Sequence, residues 1–155
     1  MKRQRRLQAK TDYKARLALL KSGEKRLVVR KTNRYIIAQI VETAQAQDKV
    51  VIGINSKDLL GKGWPKEKEG SLKSLQAAYL TGFTLCKLAA EKKIKSAILD
   101  IGLNRNVAKS RIYAVLKGAI DAGLSIPHNP ESLPSLSDLQ KNEKLKSMLE
   151  RVKHK

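Results

Sequence analysis

Arg30-Lys31-Thr32-Asn33-Arg34-Tyr35 places three cations, an amide and an aromatic ring within six residues. Guanidinium groups can fork onto phosphates, an asparagine can read a base edge or a 2′-hydroxyl, and a tyrosine can stack on an unpaired base. The same six residues serve equally well as a solvated hairpin tip in which Asn33 supplies only turn geometry. The neighbourhood tips the balance toward binding. The first 34 residues hold 13 Lys/Arg against Asp12 and Glu24, so this opening fifth carries +11 of the formal +19. An arm and an adjacent hairpin of one sign make a contiguous cationic footprint, and nucleic-acid phosphates are its densest common match.

A second element, Gly102-Leu103-Asn104-Arg105-Asn106-Val107-Ala108-Lys109-Ser110, joins an apolar run to a helical pattern and ends in Lys-Ser. It fails as a nucleotide-hydrolysing phosphate loop: the spacing is one residue too long, and Ala108 stands where glycine must let backbone amides close on phosphate. The helix start at Ser110, with Arg105, Lys109 and Arg111 around it, suits a backbone phosphate of a larger nucleic acid. An ordinary strand-to-helix connection with a serine cap accounts for the same residues. Asp100, just upstream, raises the question of a metal-dependent nuclease, which needs several convergent carboxylates. The neighbouring strands offer Arg30 and Arg34 instead, so Asp100 reads as a partner for a cation or a turn cap. Cys86 reads as a buried structural thiol, His128 as a loop residue without an acid-base partner, and Trp64 as packing over its own glycine-rich loop.

The elements that must position these groups follow from periodicity. Residues 1–10 are too polar and cationic to bury anything alone, forming an arm. Thr11 is expected to cap a short helix with Tyr13, Leu17 and Leu20 on one face, Lys14, Arg16 and Lys21 on the other, and Gly23 at its end. Leu27-Val28-Val29 and Tyr35 to Val41 read as a hairpin turning at Thr32-Asn33, and Val50 to Ile54 as a third strand completing a meander. Ser56 to Gly70 reads as a surface loop. Ser71 is expected to cap a long helix with Leu72, Leu75, Tyr79, Phe83, Cys86 and Ala90 on one stripe against the sheet. That helix crosses over to a fourth, parallel strand around Ile98-Leu99 and Ile101, ended by Gly102. Ser110 opens another helix with Ile112, Val115, Leu116, Ala119 and Ile120 inward, stopping near Gly123. Pro127, Pro130 and Pro134 mark irregular backbone before a last polar helix, capped at Ser137 and carrying Leu139, Leu145, Met148, Leu149 and Val152.

The fold class is therefore α/β: a mixed sheet, made of an antiparallel meander plus a parallel strand reached through a crossover helix, behind a basic N-terminal arm. The domain reading is an arm and short helix over 1–24, an α/β RNA-binding core over 25–130, and a tail with a helix over 131–155. With 155 residues and 41% hydrophobic content the chain can bury one core. One cysteine and two histidines exclude a disulfide framework and a zinc set, so no metal or other cofactor is expected. The charged start lacks a secretory apolar stretch and no later run spans a membrane, so a cytoplasmic location is expected.

Seven strings sharpen this reading. Lys10 to Leu17, Arg26 to Asn33, Ala38 to Ile40, Ala77 to Gly82, Ala97 to Leu103, Leu116 to Leu124 and Ile126 to His128 occur in an order that closely resembles the archaeal branch of the ribosomal protein L-eighteen family, whose eukaryotic relative is L-five. The resemblance is collinear from about Arg5 to His128. It implies a non-enzymatic protein of the large subunit that binds 5S rRNA and helps attach it to the central protuberance, alongside 23S rRNA and neighbouring proteins, with no membrane or small-molecule partner. It implies a three-layer domain of ribonuclease H-like architecture, although fold likeness transfers no catalysis. By position it assigns RNA contacts to Arg5, Arg6, Lys10 and Tyr13 in the arm and to Arg30, Thr32, Asn33, Tyr35 and Gln39 in the hairpin. The family's Gly-Ser-Arg element falls on Lys109, Ser110 and Arg111, with Lys109 in place of the usual glycine. Arg16, Arg34 and Arg105 join the set through their charge and place. A free RNA chaperone or assembly factor is the alternative function, and a metal-dependent nuclease a more distant one.

Overall fold

The computed structural model describes residue 8, residues 11–44 and residues 47–139. Arg5, Arg6 and Lys10 lie outside the described residues, as does the expected helical stretch beyond Leu139. The chain forms α1 (Tyr13–Lys21), β1 (Arg26–Lys31), β2 (Ile36–Ala44), β3 (Gln47–Asn55), α2 (Leu75–Glu91), β4 (Ile98–Asp100), α3 (Arg111–Asp121) and α4 (Leu136–Leu139). The sheet order is β3-β2-β1-β4, with β1 antiparallel to β2, β2 antiparallel to β3, and β4 parallel to β1.

Alternation along β1 and β2 divides the sheet into two faces. Leu27, Val29, Ile36, Ala38 and Ile40 are buried on one face in a core with residues of α2 and α3, including Leu85, Val115 and Leu116. Arg26, Val28 and Arg30 point the other way, toward α1, whose Ala15, Ala18 and Leu19 line a cleft with Arg30 and Asp100. The result is three layers: α2 with α3, the sheet, and α1.

Several expected boundaries move, each for a local reason. Asp12, not Thr11, caps α1: its Oδ1 accepts from the amides of Lys14 and Ala15, where a carboxylate also meets the positive end of the helix dipole. No residue of α1 is buried, and Leu17 is 55% exposed, so the expected apolar stripe does not dock this helix. β3 begins at Gln47 because its polar start pairs with Thr43 and Ala44 at the solvated end of the hairpin. Ser56 to Gly70 is not a plain surface loop. It folds into two 3-10 turns, Ser56–Lys62 and Lys66–Ser71, that bury Leu59 and Trp64 in a second cluster with Leu72, Tyr79 and Leu80. Trp64 packs over its own loop, donating from Nε1 to the Lys68 carbonyl.

Ser74, not Ser71, caps α2 by accepting from the Ala77 amide, while the Ser71 hydroxyl donates to the Lys68 carbonyl. Residues 76–86 of α2 are buried around the whole helix rather than on one stripe, and Ala90 is exposed. Gly82 and Gly118 let α2 and α3 approach this closely: a Cβ on Gly82 would collide with the Val115 carbonyl, and one on Gly118 with the Tyr79 carbonyl. Ser135, not Ser137, starts α4, exchanging hydrogen bonds with Asp138. Packing continues past residue 130, since Leu133 lies against the main core and Leu139 is buried in the second cluster.

Candidate nucleic-acid interface

The hairpin turn is closed by one threonine. Thr32 Oγ1 accepts from the Tyr35 amide at 2.9 Å and donates to the Tyr35 carbonyl, while the Thr32 amide donates to that same carbonyl. The hydroxyl is thereby engaged in holding the turn, and Thr32, Asn33 and Arg34 stand exposed at the tip. Tyr35 is half-buried against the second cluster, so one side of its ring is covered. Gln39, also half-buried, lies on the α1 face over Gly53.

Arg30 does not reach out with the tip. Its Nη1 donates to the backbone carbonyls of Val29 and Asp100, each at 2.9 Å, and its Nη2 to Asp100 Oδ1 at 3.0 Å. Asp100 also accepts from Arg26 Nη1 at 2.8 Å and from the Gly102 amide at 2.9 Å, fulfilling both structural roles expected of it. Gly102 is required here twice over, because its φ is +58° and a Cβ would strike the Arg30 guanidinium. Arg26, only 2% exposed, continues the network to Asp48 at 2.6 Å and Thr43 at 3.0 Å, and Arg16 closes it on Asp48 at 2.8 Å. Burial raises the Asp48 carboxyl, but hydrogen bonds from Arg16, Thr43 and Arg26 outweigh it and hold the group at about 2. Arg16 thus sits in this network and ties α1 to the sheet, while Tyr13 is exposed on α1.

The network fixes where the Gly102 to Ser110 segment leaves the sheet. Lys31, on the core-facing side of β1 at its last position, lines a cleft with Arg105, Lys109 and Arg111, residues more than 70 positions away. None of these four cations makes an ion pair among the described residues. Lys109 keeps the left-handed backbone that suits glycine, with φ +57°, anchored by its amide on the Ser132 carbonyl at 2.8 Å. The tight loop geometry therefore survives with lysine in place of glycine. Ser110 occupies the N-cap position of α3, yet its Oγ makes no cap bond; that atom is shielded and has no hydrogen-bond partner.

Two elements singled out separately in the sequence, the hairpin and the loop before α3, meet at one end of the sheet. Lys31, Asn104 and Val107 join them there. Strand alternation could have placed Lys31 on the α3 side; nothing in the local sequence flags Val107. Cys86 is buried, which raises its thiol pKa. Among the described residues no helix is long and apolar enough to cross a membrane.

A basic three-layer α/β domain that sets four cations without carboxylate partners around one cleft at the end of its sheet is the class of protein these features define. The family described as ribosomal large subunit proteins 60S L5 and 50S L18 matches residues 1–96 and 87–129. The chain is 45% identical over 152 residues to large ribosomal subunit protein uL18 of Korarchaeum cryptofilum, covering 98% of this chain and 75% of that one. It is 41% identical to the uL18 protein of Methanothermobacter thermautotrophicus (88% and 69% covered) and 44% identical to that of Haloarcula marismortui (83% and 67% covered). The chain belongs to this family, and its role is that of a structural, non-enzymatic ribosomal protein of the large subunit.

Proposed function

We propose that this protein binds 5S rRNA and helps attach it to the central protuberance of the large subunit, next to 23S rRNA and neighbouring proteins. The observation that carries the reading is the meeting of the hairpin and the loop before α3, which gathers Lys31, Arg105, Lys109 and Arg111 without carboxylate partners. Unpaired cations are available to neutralise phosphates, and Asn33 and Arg34 extend the same end outward. The arm residues Arg5, Arg6 and Lys10, with Tyr13, enlarge the footprint, while Ser110 and Gln39 supply polar contacts. Arg30 and Arg16 contribute through the scaffold: they hold the loop and α1 in place.

Binding of purified protein to 5S rRNA, compared with unrelated RNAs of equal length, tests the reading; equal affinity for all would reduce it to charge. If the arm makes about six phosphate contacts, affinity falls by ~10³ between about 50 and 200 mM salt. Deleting residues 1–10 then flattens that dependence, and an unchanged slope removes the arm from the interface. Stoichiometric co-sedimentation with the large subunit after a high-salt wash separates a resident subunit from a transient RNA chaperone.

A further inference from the structure

The cleft beside Ser110 has features that phosphate neutralisation alone does not use. Its volume is about 440 Å³, inside the ~300–1,000 Å³ range of small-ligand sites. Its walls are of two kinds. Lys31, Arg105, Lys109 and Arg111 supply cations, whereas Val107 and the half-buried Leu75, backed by the buried Ile112, supply an apolar surface. Val107, on the loop before α3, is 48% exposed. Two polar residues of the lining, Asn104 and Ser110, have unused hydrogen-bonding capacity. Ser110 Oγ is shielded and unpaired among the described residues. Asn104 donates from Nδ2 to the Ile101 carbonyl, and its Oδ1 accepts no hydrogen bond among the described residues.

We infer that this cleft receives a single unstacked nucleotide of the ribosomal RNA, its base against Leu75, Val107 and Ile112 and its phosphate among the four cations, with Ser110 and Asn104 bonding its polar edge. The inference rests on the RNA-binding reading above and adds the state of the RNA that is recognised. A paired A-form segment presents phosphates and 2′-hydroxyls while its base faces stay stacked, so it has no use for an apolar wall. A splayed nucleotide presents both a base face and a charge. An acidic peptide would satisfy the cations, but it would leave the apolar surface facing water.

Photo-crosslinking tests this directly. The Val107→p-benzoylphenylalanine variant is bound to 5S rRNA and, separately, incorporated into whole large subunits, and the crosslinked nucleotides are mapped. The expected result is one dominant nucleotide, unpaired in the RNA fold, on 5S rRNA or on 23S rRNA; the two preparations distinguish the source. Crosslinks confined to paired segments, crosslinks to protein only, or none in either preparation overturn the inference. A second variant, Ser110→Ala, deletes no cap bond and leaves folding intact. It should weaken RNA binding about three- to tenfold without changing the salt slope, because no cation is removed; undiminished affinity would sink the assignment. If wild-type protein fails to bind 5S rRNA at all, the functional reading fails. If it binds and Val107 stays silent in both preparations, only the nucleotide cleft falls.

Discussion

On the α1 face of the sheet, Arg16, Arg26 and Arg30 direct their guanidinium groups at Asp48 and Asp100, whereas at the end of the opposite face Lys31, Arg105, Lys109 and Arg111 have no carboxylate partner among the described residues. The residue types are alike and the physical consequences opposite. These paired cations, with Arg26 buried at the centre, hold α1, β1 and β4 in register. Unpaired cations at the rim of a cleft keep their charge available for an external anion. A count of lysines and arginines along the chain cannot separate these two groups; only their partners can.

The largest effect that would test this contrast comes from the buried member of the network. Arg26→Ala leaves Asp100 and Asp48 partly uncompensated, and should lower unfolding stability by about 3–5 kcal/mol in urea titrations. Should the variant keep wild-type stability, the network would not be the scaffold described.

Acid acts on the same face with a smaller effect. The folded-state pKa of Asp48 is about 2 against an ordinary 3.8, so its contribution is present above pH ~4 and is lost as pH falls through that interval toward ~2. With Asp48 about 30% exposed, solvent screening leaves roughly 1–2 kcal/mol, readable as a falling unfolding midpoint in that window. In an Asp48→Asn variant this component of the acid dependence should disappear.

At the cleft the sign reverses. Lys109 holds a left-handed backbone, so Lys109→Gly relieves about 1 kcal/mol of strain and raises the unfolding midpoint while weakening RNA binding. Opposed changes in stability and affinity would sharpen the contrast between the two faces, and a parallel loss of both would break it.

The sheet was legible because β-branched runs punctuated by turn residues have few alternatives, and the parallel placement of β4 followed from its crossover helix. Asp100 was legible in role, though its partners Arg26 and Arg30 lie 74 and 70 residues away and no local pattern announces such a pairing. The burial of α2 around its circumference was not legible. It depends on Gly82 and Gly118 admitting a neighbouring backbone, and a glycine within a helical pattern gives no sign of what approaches it. Capping slipped by one to three residues at α1, α2 and α4 because several side chains in each stretch are competent caps and packing chooses among them. Of the candidate site, the residue types were readable and their division between Arg30, turned inward, and Arg105, turned outward, was not.

The most direct test is the salt dependence of 5S rRNA binding by a Lys31→Ala, Arg105→Ala, Arg111→Ala triple variant, measured beside its urea unfolding. The account predicts a slope of log affinity against log salt shallower by about two to three, with the unfolding midpoint preserved. A slope equal to that of the wild-type protein, with the fold intact, would contradict it.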